Sequence, residues 1–160
     1  MEIKGTSVRG TYEYVKRFFP DRFEEWIENL PLSAQEIFKG LILTNKWYSL
    51  NDGFVVPIKL VSDMFYSSNE VTTGYIMGKY HASVTLTGVY KLFVRNSPWY
   101  IIEKGFNVFA TYFQPAKIEI IKIGKNNIAL HFISFPEPHK IIDAAISGWI
   151  DGALEISGGS

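Results

Sequence analysis

The chain has 160 residues with 16 Lys and Arg balanced by 16 Asp and Glu, a formal net charge of zero. At about 150 residues per domain this is one domain, and 47% hydrophobic residues are enough to bury a core, which excludes a disordered chain. The missing basic excess argues against a nucleic-acid reader, and the missing cysteine excludes disulfides, thiolate metal sites and cysteine nucleophiles.

The first helix is expected from Thr6 or Ser7 as N-cap, with Val8, Tyr12, Val15 and Phe19 on one face and Pro20 as its stop. Asp21 with Glu24, and Ser33 with Glu36, read as capping boxes for a second and a third helix. The second carries Phe23, Trp26, Ile27 and Leu30 inward; the third carries Ile37, Phe38 and Leu41. Asn51-Asp52-Gly53 reads as a turn, and Pro57 opens a helix running to about Tyr66. Asn69 caps a long apolar stretch from Glu70 to Val94, read as one or two buried helices. Ser97-Pro98 opens another helix carrying Trp99, Ile102, Phe106, Phe109 and Phe113.

From Lys117 the period changes. Lys117 to Ile123 and Ile128 to Phe135 alternate around Gly124-Lys125-Asn126-Asn127, a hairpin. A closing helix then runs from about Pro138 to Ile156, with Ile142, Ile146, Trp149, Ala153 and Leu154 inward. The fold class is α+β: six to seven helices on a small antiparallel sheet made by the 117–135 hairpin, in a single domain over 1–157 with 158–160 as a tail. Two strands are too few for a stable sheet, so they must pack on helices or pair with further strands. No leader-like or bilayer-spanning apolar run is present, and a cytoplasmic protein is the expectation.

Chemistry-bearing constellations are sparse. His81, His131 and His139 are not at metal-ligand spacing, no G-x-S-x-G elbow occurs, and no glycine-rich phosphate loop follows a strand. Asp151 and Glu155 share one helix face at i,i+4, the pattern of a solvated face rather than of carboxylates across a cleft. No enzyme is expected. Gly148 and Gly152 form a G-x-x-x-G whose cost in helix propensity, about 1 kcal/mol each, implies close approach of another backbone. The strongest feature is aromatic: 4 Trp, 9 Tyr and 12 Phe, densest between Trp47 and Phe113. Such density fits a bulky core alone, or a core with a pocket or interface.

Ile3-Lys4-Gly5-Thr6, Tyr14-Val15, Phe18-Phe19-Pro20, Gly88-Val89-Tyr90-Lys91-Leu92, Ser97-Pro98-Trp99, Tyr112-Phe113 and the run from Ile146 to Glu155 carry a resemblance over nearly the whole chain. The chain resembles an uncharacterised bacterial domain family common in myxobacteria. The closing helix is similar to 4-vinyl-reductase-type domains, which share a fold with haem-nitric-oxide-binding domains and the small subunits of the TRAPP vesicle tether.

The resemblance implies a pocket between helices and sheet; the aromatic-rich helices over 75–113 offer Tyr75, Tyr90, Trp99, Phe106 and Phe109 as its candidate lining, and the hairpin offers His131 as a polar contact. The expected function is then a non-catalytic sensory or scaffolding domain that binds an apolar small molecule and forms a homodimer. A ligand-free protein-interaction module is the alternative, and a haem gas sensor the third reading. Haem-binding relatives use a proximal His and a Tyr-x-Ser-x-Arg clamp. Here Tyr112 is followed by Gln114 and Ala116, and only His81 is left for the proximal role, so no cofactor is expected.

Overall fold

The computed structural model describes residues 1–87, 111–122, 124 and 127–157, together with 100, 103, 104 and 107. Of these, no side-chain placement is described for 87, 120, 122 and 128. The chain is a helix-rich α+β domain with six α-helices and five short strands among the described residues. The elements run β1 (Glu2–Lys4), α1 (Gly5–Phe18), a 3-10 turn (Pro20–Arg22), α2 (Phe23–Glu28), α3 (Leu32–Lys39) and β2 (Trp47–Ser49). A π-helical turn (Asn51–Val55) then leads into α4 (Val56–Phe65) and α5 (Glu70–Thr87). After β3 (Phe113–Gln114) come the hairpin strands β4 (Lys117–Lys122) and β5 (Ile128–Ser134), and α6 (Lys140–Ile156) closes the domain.

The strands form two sheets, where the sequence suggests one. β4 and β5 make the expected antiparallel hairpin, with Ile118 opposite Phe132 and Ile120 opposite Leu130. A second, three-stranded sheet in the order β2-β1-β3 stands where the periodicity predicts helix and loop only. Ile3 faces Tyr48 on one side and Phe113 on the other. Strands of two or three residues show no period-2 pattern, which needs four or more residues to be read. What specifies them is burial: Ile3, Tyr48 and Phe113 are all in the core.

The same sheet explains why α1 begins before its expected cap. Lys4 N–H donates to the Tyr112 carbonyl and Gly5 N–H to the Lys46 carbonyl, each at 2.8 Å, so the helix's first donors are held by neighbouring chain. Lys4 is the N-cap residue and makes no side-chain cap bond. Neither expected capping box forms. Asp21 sits in the 3-10 turn, α2 starts at Phe23, and α3 starts after Pro31, both without a side-chain cap bond. In place of the first box Arg22 Nε donates to Glu25 at 2.8 Å, and in place of the second Gln35 Nε2 donates to the Leu30 carbonyl at 2.8 Å. Asn51-Asp52-Gly53 is not a reversing turn; burial of Phe54 and Val55 winds it into the π-helical turn ahead of α4. Pro57 lies in the first turn of α4 as expected. The Asn69 side-chain oxygen accepts from Thr72 N–H at 3.0 Å, the expected cap of α5, and His139 Nδ1 accepts from Ile141 N–H at 3.1 Å as the cap of α6.

The body of the domain is the α5–α6 pair. Each helix sets two glycines against the other's backbone. A Cβ on Gly78 would lie 2.0 Å from the Ala145 carbonyl oxygen, and one on Gly148 would lie 2.0 Å from the Tyr75 carbonyl oxygen. Gly74 faces Ile141 and Ala144, and Gly152 faces Lys79 and Ala82. This is the close approach that the G-x-x-x-G spacing implies. Trp149, Ile142 and Ile146 of α6 are buried against the rest of the core, which includes Trp26, Phe38, Leu50 and Ile58. At the rim of the pair, Lys79 Nζ reaches Glu155 at 2.7 Å and Asp151 at 3.2 Å, and Tyr75 Oη donates to Asp151. Those bonds, Tyr75 first and then Lys79, hold the Asp151 carboxyl below its usual range.

Candidate functional site

Two places stand out among the described residues: a small, partly open pocket at His81 and the surface of the hairpin. The cavity lies where α1, α5 and α6 meet. It is lined by Ser7 and Gly10 of α1, His81 and Thr85 of α5, and Tyr112 and Trp149. Gly10 and His81 touch because glycine leaves room for the ring. A Cβ at Gly10 would lie 2.7 Å from both Cδ2 and Nε2 of His81.

The residue keeps some accessible surface, but Nε2 itself is sealed from solvent and has no hydrogen-bond partner among the described residues. Burial disfavours the charged ring and lowers its pKa to about 4, so His81 is neutral at physiological pH. The cavity volume is about 30 Å³, room for about one water. A haem macrocycle or an acyl chain is many times larger. The Nε2 edge of His81 is covered by the α1 backbone at Gly10. No group of three His, Asp or Glu among the described residues could hold a metal ion.

The residues expected to line a pocket are placed otherwise or lie outside the description. Tyr90, Trp99, Phe106 and Phe109 are outside the described residues. Tyr75 stands at the rim of the α5–α6 pair, 36% exposed, with its hydroxyl on Asp151. His131 is exposed on β5 opposite Glu119. Of the residues that do line a cavity, Gly10 carried no expectation and His81 only that of the one histidine left for a haem ligand. The one available signal was a polar His81 among the apolar residues of a long buried helix.

The hairpin is the second place. Its inner face packs Ala116, Ile118, Leu130 and Phe135 partly against the core, and Phe113 meets Phe135 at 5.5 Å between ring centroids. Three of its described apolar side chains are exposed: Ile121 46%, Phe132 39% and Ile133 44%, with Phe132 at the margin of the face that Ile118 and Leu130 share and Ile121 on the opposite face. Among the described residues β4 and β5 each have one strand neighbour, so each has an edge whose backbone groups are not engaged in a sheet. A second concavity, an open groove of about 210 Å³ between Arg9, Tyr12 and Glu13 of α1 and Gly40 to Ile42, carries Leu41 at 83% exposure.

Among the described residues no helix is long and apolar enough to cross a membrane. No protein-family model and no curated protein matches this chain.

Proposed function

We propose that this domain is a non-catalytic protein-interaction module whose working surface is the β4–β5 hairpin. The carrying observation is the combination, on one hairpin, of three exposed large apolar side chains with strand edges that no described strand covers. An isolated two-stranded hairpin is marginal in water, and exposed edges are the surfaces that chains use for strand addition. Apolar side chains grouped on such an element mark a contact surface more often than isolated exposed ones do. The helical body supplies a rigid platform: the glycine-packed α5–α6 pair fixes α6 directly after the hairpin.

A second reading, a small-molecule-binding sensory domain, is favoured by one observation, the unpartnered Nε2 of His81 beside its cavity. At about 30 Å³ that cavity suits a ligand of water size rather than an apolar effector. Native mass spectrometry of gently purified protein, set against the denatured mass, separates the two readings. The interaction module predicts the bare polypeptide mass or whole multiples of it. A non-covalent adduct lost on denaturation would instead establish a carried ligand and overturn the module.

A further inference from the structure

We infer that the turn between α3 and β2, a surface distinct from the hairpin, docks on an anionic membrane. The chain leaves α3 in extended backbone at Gly40. Exposure then alternates: Leu41 and Leu43 are exposed, and Ile42 between them is buried. Leu41 is the most exposed large apolar side chain among the described residues. The turn that carries these leucines is tied down. Leu43 N–H donates to the Tyr48 hydroxyl at 2.9 Å, and Lys46 N–H donates to the Leu43 carbonyl at 3.1 Å. The Lys46 carbonyl in turn accepts from Gly5 N–H at 2.8 Å. The backbone is pinned to β2 and to the start of α1 while two leucines stand in water.

Charge decides what would cover them. Between Glu36 and Asp52 the chain carries Lys39 and Lys46 and no Asp or Glu. Both lysines are exposed, and neither meets a carboxylate among the described residues: Lys39 Nζ donates to Gln35 at 2.7 Å, and Lys46 Nζ lies 5.2 Å from the centre of the Tyr48 ring. A third cation, Lys4, lies 4.5 Å over the ring of the half-buried Trp47, the residue after Lys46. Across the groove, Glu13 is already paired with Arg9 at 2.8 Å. The chain as a whole is neutral, so any attraction to an anionic surface must be local. A bilayer of anionic lipids matches an apolar tip flanked by one sign of charge. The leucines enter the acyl boundary, the lysine stems reach back to the headgroups, and the indole sits at the level between. Two leucines are too few for a stable protein interface, which takes about 800 Å² from each partner. On a membrane their burial adds to the lysine attraction, and the binding is reversible.

The test is sedimentation of the unmodified chain with vesicles of equal parts phosphatidylserine and phosphatidylcholine, and with vesicles of phosphatidylcholine alone. Binding is expected on the first, weakening as salt rises, and about tenfold weaker or more on the second. Lys39→Gln with Lys46→Gln is expected to weaken binding to the anionic vesicles roughly 20-fold. Leu41→Ser with Leu43→Ser is expected to weaken it about tenfold or more with every charge kept. All four side chains are exposed, so both variants should keep the parent's urea midpoint. A parent chain that leaves the anionic vesicles unbound overturns the membrane surface and gives the tip to a protein partner. Leucine variants that bind like the parent reduce the binding to charge adsorption and overturn the docking tip. Lysine variants that bind like the parent overturn the anionic surface.

Discussion

Replacing Gly148 by alanine is expected to destabilise the domain by about 3 kcal/mol, although helix propensity alone would favour the change by about 1 kcal/mol. The added Cβ would lie 2.0 Å from the Tyr75 carbonyl oxygen and 2.8 Å from its carbon, both backbone atoms of the facing helix. No side chain can rotate out of the way. α5 and α6 must separate, and the separation loosens the packing of Trp149 and Ile146 along the same face. Gly78→Ala is expected to behave alike, because its Cβ would lie 2.0 Å from the Ala145 carbonyl oxygen. Gly152→Ala is the internal control. Its closest contacts are 3.1 Å to the Ala82 Cβ and 3.2 Å to backbone atoms of Lys79, so shifts of a few tenths of an ångström suffice. There the propensity gain and the crowding cost nearly cancel, and the change should stay within about 0.5 kcal/mol. Urea unfolding of the three variants checks the order. Gly148→Ala as stable as the parent would mean that the helices do not pack on these glycines.

The second large effect is on pH dependence. His81 is expected to make the domain lose about 2.5 kcal/mol of stability between pH 7.5 and pH 4.5. Its folded pKa is lowered to about 4 by burial, while in the unfolded chain it titrates near the ordinary histidine value of 6.5. As pH falls below about 6.5 the unfolded chain takes up a proton that the folded chain refuses, and unfolding is drawn forward. Once pH passes below about 4 both states are protonated and this contribution levels off. Above about 7 neither state is protonated and His81 adds no slope. His81→Leu removes the titration and the unpartnered Nε2 together. It is expected to match or exceed the parent's stability at pH 7.5 and to flatten the pH 4–6.5 slope. Parallel slopes for the parent and His81→Leu over that window would show that the ring is not buried neutral.

The helices with strong periodicity or clear punctuation were legible in the sequence. Asn69 and Pro57 fixed two boundaries that the structure keeps, and Gly124 with the alternation around it placed the hairpin. The Gly148 and Gly152 spacing announced a backbone contact before the identity of the facing helix was visible. What stayed hidden was non-local. β1, β2 and β3 are too short to carry a pattern and exist because Ile3, Tyr48 and Phe113, far apart in sequence, are buried side by side. Local capping rules failed at Thr6, Asp21 and Ser33, where strand hydrogen bonds, a 3-10 turn and Pro31 take over the helix starts.

For the candidate site, aromatic density pointed toward a pocket, but Tyr75 is spent on Asp151 at a helix rim and His131 stands in solvent. The cavity belongs to Gly10 and His81, which lie 71 positions apart and meet only because α1 and α5 pack. The hairpin surface could be seen only once its inner face was known. Alternation marks which residues share a face, not which face remains uncovered.

Hydrogen exchange tests the central claim most directly. A glycine-locked helical body carrying an open hairpin predicts slow exchange in α5 and α6 and much faster exchange at the β5 amides that no described strand covers. Exchange throughout β5 as slow as in α5 and α6 would contradict the claim, since the hairpin would then be closed within the single chain and have no surface to offer.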